Sequence, residues 1–308
     1  MRLLLIGQKA FGADALLALA KDGAEIVGAV VGSSDRDRED QVETVARDLK
    51  IDCVRTGSLK KPDVAQWVSE RRPDLIAMAF VTLYMPKSLA NVAPLGAINF
   101  HPSLLPLHRG ISSLPWTILS GDTAAGLSIY FVDESMDTGD VVVQKRVEIS
   151  DDDDFKSLYF KKIYPLGLSA ICEAVRLVAS GNPPRIKQDD SASSYDPPLG
   201  REHLVLDWSD PVEMNSRRIR AGNPGIGGVT RMDDGAEVRA YGCKKYGATS
   251  TGGAPGRILS VDESGILVQG ADGALLLTNL CVSGEAKLNG AEFAAKYGIS
   301  EGRRFIGV

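Results

Sequence analysis

The sequence predicts an α/β protein in which a Rossmann-like open parallel sheet is followed by a smaller OB-like β-barrel. Three observations predict it. From Met1 to Gly181 short apolar runs alternate with amphipathic stretches, the signature of a parallel sheet covered on both faces. "NPPRIKQDDSASSYDPPLG", Asn182 to Gly200, is rich in Pro, Ser and Asp and lacks periodicity, so it reads as a linker. Beyond it short apolar segments alternate around Gly and Asp turns, as in a small barrel. The expected division is therefore 1–181, a linker at 182–200, and 201–308.

Taken in order, "RLLLIG" reads as a buried strand, "AFGADALLALAKDG" as a helix, "AEIVGAVVG" as a strand and "REDQVETVARDLKI" as a helix. "KKPDVAQWVSERRP" looks helical, "DLIAMAF" is a strand, "PKSLANVA" a short helix and "LGAINFH" another strand. After a helix in "SLPWTILSGD", the segments "AAGLSIYFVD" and "GDVVVQKRVEI" form an edge hairpin. Asp151 to Asp154 precede "FKSLYFKKIYPLGLSAICEAVRLVASG", read as one long helix. Acids at that place suit the positive end of the helix dipole, so they read as caps and not as metal ligands. In the second domain "VEMNSRRIRAG" is a helix and the remaining runs are short strands.

Composition narrows the functional classes. A net charge of −5, spread over interleaved acids and bases, gives poor footing for a protein that must neutralise many phosphates. The four cysteines, Cys53, Cys172, Cys243 and Cys281, form no CxxC pair, so buried free thiols in a reducing cytosol are expected, without metal. Neither a signal peptide core nor an apolar run of ~18 residues is found, which predicts a cytoplasmic protein with no membrane span. Gly7 and Gly12 follow the first strand but lack the third glycine of a dinucleotide fingerprint, so tight packing is the expected role. No phosphate-binding P-loop, serine nucleophile elbow or zinc-protease helix motif is found.

One stretch stands apart. "GAINFHPSLLPLHRG", Gly96 to Gly110, sets an apolar strand against Asn99, His101, Ser103, His108 and Arg109. Reactive groups in open parallel sheets lie at the carboxyl ends of strands, and His101 stands one residue past the apolar run. Asn99 and His101 are two apart, so on an extended chain they face one side. "FVDESMDTGD" then offers acids after another strand. A histidine held by a carboxylate beside an amide suits acyl transfer by direct attack of the acceptor, since no nucleophile elbow is present. From spacing alone a structural histidine is an equal reading.

"NFHPSLLPLHRG", followed 36 residues after His101 by Asp137 in "MDTGD", resembles the signature of the 10-formyltetrahydrofolate-dependent formyltransferase family. "LDWSDPVEMNSRRIRAGNP" and "PGRILSVDESGILVQGADGALLLTNL" resemble the C-terminal barrel domain of methionyl-tRNA formyltransferases and of the hydrolase part of formyltetrahydrofolate dehydrogenase. The resemblance implies the formyltransferase fold, 10-formyltetrahydrofolate as co-substrate and no metal. It implies a catalytic trio of Asn99, His101 and Asp137, with Ser103, Leu104, Leu105 and Pro106 as folate contacts and Leu83, Tyr84 and Met85 beside the pterin. Arg109 would fix its loop, His108 would be a bystander, and His203 structural or at the surface. In the implied mechanism His101 moves a proton from the amine towards N10, Asn99 stabilises the oxyanion, and Asp137 hydrogen-bonds and orients His101.

Three acceptors fit such a family: a small amine, methionyl-tRNA, or water. The tRNA enzymes of the family carry a basic Gly-rich insertion after the second strand, whereas here Asp35, Asp37, Glu39 and Asp40 offset Arg36 and Arg38. The hydrolase relatives have an apolar residue at the place of Asn99, so Asn99 favours transfer. A small-molecule amine acceptor is expected, with tRNA possible but disfavoured; the sequence does not name the acceptor or the oligomeric state.

Overall fold

The computed structural model describes residues 1–32, 38–247 and 253–307, so Asp35, Arg36 and Asp37 lie outside the described residues. The chain forms two compact units. One comprises Met1–Ser113, Ala124–Val147 and Phe160–Pro197, the other Leu114–Thr123, Glu148–Tyr159 and Pro198–Val308.

In the first unit the elements run β1 (Arg2–Gly7), α1 (Lys9–Lys21), β2 (Glu25–Gly32), α2 (Gln41–Asp48), β3 (Cys53–Thr56), α3 (Pro62–Glu70), β4 (Leu75–Ala79), α4 (Lys87–Ala90) and β5 (Ala97–His101). After α5 (Ser113–Ser120), which from Leu114 on belongs to the second unit, come β6 (Ala124–Phe131) and β7 (Val141–Glu148). The sheet order is β3-β2-β1-β4-β5-β6-β7, parallel through β5 and antiparallel between β5 and β6. Strand order reverses between β1 and β4, where an open α/β sheet leaves a crevice at its carboxyl edge. Leu3 to Ile6 and Leu75 to Ala77 are fully buried, which is why these strands read as unbroken apolar runs.

The first-turn glycines serve packing. A Cβ on Gly12 would stand 3.0 Å from the Gly7 carbonyl carbon and 3.0 Å from Val42 Cγ2. Asp40 caps α2 in a capping box with Glu43, and Glu39 pairs with Arg47 at 2.7 Å. Those acids mark a helix start. β3, "CVRT", is not among the expected strands: only Thr56 in it is buried, so its apolar signal is weak.

The expected long helix is interrupted. Asp154 caps α6 (Phe155–Ser157), accepting from Ser157 N at 2.6 Å, but Leu158–Ile163 is a π-helical turn and α7 spans Tyr164–Ala179. Pro165 has no N–H to return to Lys161, so an α-ladder cannot run through it, and the wider turn falls directly before.

The second unit carries α8 (Val212–Gly222), β8 (Gly228–Met232), β9 (Glu237–Tyr246), β10 (Ile258–Asp262), β11 (Gly265–Gln269), β12 (Ala274–Val282), β13 (Leu288–Asn289), α9 (Gly290–Tyr297) and β14 (Phe305–Ile306). Its antiparallel sheet runs β10-β11-β12-β9-β8-β14. Ile258 N donates to Arg303 O at 2.8 Å and Phe305 N to Gly256 O at 2.9 Å, so the two ends of the sheet curl together as a barrel. Leu206, Trp208, Ile219, Leu277, Phe293 and Phe305 fill it. α9 is not among the expected elements, although Asn289 caps it and Gly298 ends it with φ +63.

All four cysteines are free; Cys172 and Cys281 are buried, but Cys53 and Cys243 are only half-buried. Burial nevertheless pushes the Cys53 thiol up to about 12 and the Cys243 thiol up to about 11. Because only the thiolate attacks, both are expected to react slowly with an aromatic disulfide reagent at pH 8 and rapidly once denaturant is added. Prompt titration of either in the native protein would contradict this.

Candidate active site

The carboxyl ends of β4 and β5 open on a cavity lined by Met78, Phe80 and Val81 to Met85 on one side and by Asn99, His101, Gly110, Ile111, Tyr130 and Met136 to Asp137 on the other. Asn99 and His101 both line it, as their two-residue spacing on a strand requires. Asp137 joins them from the loop after β6.

How these groups connect differs from the expected triad. His101 Nδ1 lies 3.7 Å from Asp137 Oδ2, too far for a hydrogen bond. His101 Nε2 instead lies 2.9 Å from the carbonyl oxygen of His108. A carbonyl only accepts, so Nε2 carries the proton in the neutral ring and Nδ1 keeps its lone pair. The tautomer is thus set by backbone and not by Asp137. A proton arriving on Nδ1 meets the Asp137 carboxylate across 3.7 Å.

Asp137 is held by other partners. Its Oδ2 accepts from Gly110 N at 2.8 Å and its Oδ1 from Tyr130 Oη at 2.7 Å. Burial, followed by the nearby Asp137 charge, holds the Tyr130 phenol well above its ordinary range, so it stays a donor. With its own hydrogen engaged in the bond to Asp137, Tyr130 Oη accepts from Asn99 Nδ2 at 2.9 Å. This fixes the orientation of the Asn99 amide. One Nδ2 hydrogen is committed to Tyr130, the second is free, and the buried Oδ1 finds no donor among the described residues. Tyr130 is the residue that sequence reasoning missed. Its signal is the antiparallel register, which sets Tyr130 directly opposite Asn99.

The remaining expected residues divide. Leu83, Tyr84 and Met85 lie on the cavity wall. Ser103, Leu104, Leu105 and Pro106 do not. Ser103 Oγ turns inward to donate to Leu107 O at 2.7 Å, and Leu105 packs against Tyr130 and Val141 beneath the site. Leu105 N donates to Ser128 Oγ at 3.2 Å and its carbonyl accepts from Gln144 Nε2 at 2.9 Å, so the loop is braced from below. Arg109 is 2% exposed and bonds Gln188 and Asp190. His108 Nδ1 lies 2.6 Å from Asp196 Oδ2. In the second unit His203 Nδ1 accepts from Gly200 N at 2.9 Å and its ring meets Trp116 edge-on, a local structural role.

Backbone strain gathers here. Phe80, His108 and Asp137 have φ of +59, +56 and +60, a region that non-glycine residues seldom occupy unless their surroundings force it. Gly110, at φ +110, could not be replaced without strain, since a Cβ there would also stand 2.8 Å from Asp196 O.

A formyl transferase family model matches residues 1–175, and a formyl transferase C-terminal domain model matches residues 199–298. The chain belongs to the formyl transferase family. It is 32% identical to a methionyl-tRNA formyltransferase of Geobacter sulfurreducens, over 99% of this chain and 96% of that one. It is 29% identical to a cytosolic 10-formyltetrahydrofolate dehydrogenase of Xenopus laevis, over 90% of this chain but only 32% of that protein. Among solved structures, an N-formyltransferase from Helicobacter canadensis in complex with folinic acid and dTDP-3-aminofucose superposes with a TM-score of 0.66 at 16% identity, covering 89% of this chain and 98% of that one. That likeness shows that this formyl transferase shares the fold. No helix of the described residues is long and apolar enough to cross a membrane.

Proposed function

We propose that this formyl transferase moves the formyl group of 10-formyltetrahydrofolate to a primary amine of a small acceptor, with Asn99, His101 and Asp137 as its catalytic residues. The observation that carries the proposal is the chain of bonds from Asp137 through Tyr130 to Asn99, which orients the Asn99 amide beside His101 and leaves its second Nδ2 hydrogen uncommitted among the described residues. Such a hydrogen can donate to the oxygen that gains charge as an amine attacks a formyl carbon.

The site fits the folate as well. Apolar side chains of Met78, Phe80, Val81, Leu83 and Met85 and an exposed Tyr84 line one wall, suited to a flat heterocycle. Leu83, Tyr84 and Met85 are proposed as its contacts, with Ser103 to Pro106 acting beneath the site as loop supports. 10-Formyltetrahydrofolate supplies an electrophilic formyl carbon on N10. His101 Nδ1 accepts the proton that the attacking nitrogen loses and can release it to the leaving nitrogen. The free Nδ2 hydrogen of Asn99 can donate to oxygen that gains charge. Asp137 stabilises the imidazolium by its charge.

Two features support a small acceptor. Asp40 and Glu39 serve α2 where a basic insertion would be needed. On α8 the arginines already have carboxylates: Arg217 and Arg220 on Glu213, and Arg218 on Asp210. Phosphate contacts there would first have to break those pairs. Methionyl-tRNA is the second reading, favoured by 32% identity that runs the full length of a relative so named. Matches over 1–175 and 199–298 support a division into a catalytic part at 1–181, a linker at 182–200 and a barrel domain at 201–308, and a cytoplasmic place is proposed with it.

Turnover of 10-formyltetrahydrofolate against a panel of amino sugars and amino-acid derivatives, with charged methionyl-tRNA and no acceptor as controls, tests the proposal. A small amine is expected to give the highest kcat/KM. Preference for methionyl-tRNA establishes the second reading, and equal turnover without acceptor makes the protein a hydrolase.

A further inference from the structure

Residues 182–200 lack any periodic pattern, yet the stretch from Ile186 to Asp196 is bonded along its length to the two loops that complete the site. Ile186 and Val141 exchange backbone bonds of 2.8 and 3.0 Å. Gln188 Nε2 donates to the carbonyls of Asp137 at 2.9 Å and Gly139 at 2.8 Å. Its Oε1 accepts from Arg109 Nε at 3.2 Å and Nη2 at 2.8 Å. One amide therefore ties the loop carrying Asp137 to the loop that anchors His101.

The second loop is held at several more points. Arg109 N donates to Ser194 O at 2.9 Å, His108 N to Ser194 Oγ at 2.8 Å, and Asp196 N to Arg109 O at 3.1 Å. Tyr195 Oη donates to Met136 O at 3.1 Å. Both loops contain a strained residue at the point of function, His108 at φ +56 and Asp137 at φ +60. Such conformations persist only where neighbours over-determine them. The His108 carbonyl fixes the His101 ring, and the Asp137 backbone aims the facing carboxylate.

We propose that residues 186–196 are a strap that sets the separation of His101 and Asp137, and that Gln188 is its central positioning residue. The inference rests on the reading of His101 and Asp137 as the proton-transfer pair. Glutamine suits the place because its amide donates to two carbonyls while accepting from a guanidinium, which a carboxylate, a hydroxyl or an apolar chain cannot do together. Reacting groups displaced by about 1 Å can lose on the order of 10²-fold in rate, so loss of the tie should appear in turnover.

The test uses the full chain, 10-formyltetrahydrofolate and the best acceptor of the amine panel, with active-site concentration counted by calorimetric titration of 5-formyltetrahydrofolate. Gln188→Met keeps the volume and removes every bond of the amide. Gln188→Glu keeps the acceptor for Arg109 but replaces the donation to Asp137 and Gly139 by repulsion between a carboxylate oxygen and the two carbonyls, so it breaks the tie should the Met variant fold poorly. Both are expected to lower kcat per folate-binding site by about 10- to 100-fold, with folate affinity changed less than about threefold. Lys187→Ala, an exposed neighbour, should leave kcat unchanged. A melting temperature that falls while kcat per site stays at the native value would show a purely structural strap and overturn the proposal. So would native kcat in Gln188→Glu, or an equal loss in Lys187→Ala. His101→Ala in the same assay separates the two failures. If it is inactive while the Gln188 variants are not, only the strap is refuted; if it is active, the reading of the site is at fault.

Discussion

Replacing His101 with alanine is expected to lower formyl transfer by about 10²- to 10⁴-fold, the range for loss of a general acid-base group. His101 is the group in the cavity whose free nitrogen can take a proton near a carboxylate, since its Nε2 hydrogen is committed to His108 O and Nδ1 faces Asp137. The fold should survive. The substitution removes the bond between His101 Nε2 and the His108 carbonyl, a loss on the order of 1 kcal/mol, which lowers the melting temperature without unfolding the sheet. Initial rates of tetrahydrofolate formation beside a thermal melt check both statements. Undiminished rates in a folded variant would remove His101 from the mechanism.

Asn99→Ile is expected to separate transfer from hydrolysis. Asn99 has one Nδ2 hydrogen uncommitted among the described residues, so it can donate to a developing oxyanion. Loss of an oxyanion donor generally costs about 10² to 10³ in kcat. The loss of the oriented amide falls harder on an amine, because water is smaller and needs less orientation. Transfer should therefore drop by at least that factor, and acceptor-independent formate release by less. Tyr130 makes the prediction sharper: its phenol, held protonated by burial and by Asp137, prevents the Asn99 amide from turning end for end. Parallel measurement of product and formate decides. Equal loss in both would mean that Asn99 serves only the common oxyanion and does not select the acceptor.

Both predictions depend on bonds that differ in how far they could be read from the chain itself. Leu3 to Ile6 and Leu75 to Ala77 declare a doubly covered sheet, because a strand buried on both faces must be apolar at every position. Asn99 and His101 could be placed on one face for an equally local reason, the two-residue period of a strand. Asp40 and Glu43 announce α2, and Gly7 and Gly12 announce close packing, since capping and steric fit act over a few residues. In the loop of Ser103 to Pro106 the side chains of Ser103 and Leu105 turn inward, which no local pattern announces.

The sequence by itself thus determined the fold class and placed Asn99 and His101 on one face at a strand end, with Asp137 added by family resemblance. Tertiary structure alone decided how that trio is wired. Tyr130 meets Asn99 through an antiparallel register between β5 and β6, which are joined by a connection that includes α5, not by the spacing of either residue. His101 takes its tautomer from a backbone carbonyl, and every residue has one, so nothing in the residue type marks it. Gln188 reaches Asp137 across 51 positions of chain, within a stretch whose lack of periodicity resembles that of a solvated linker. Periodicity reports burial against a core, whereas this stretch is held by hydrogen bonds to strained loops, and such bonds leave no repeating pattern in a sequence.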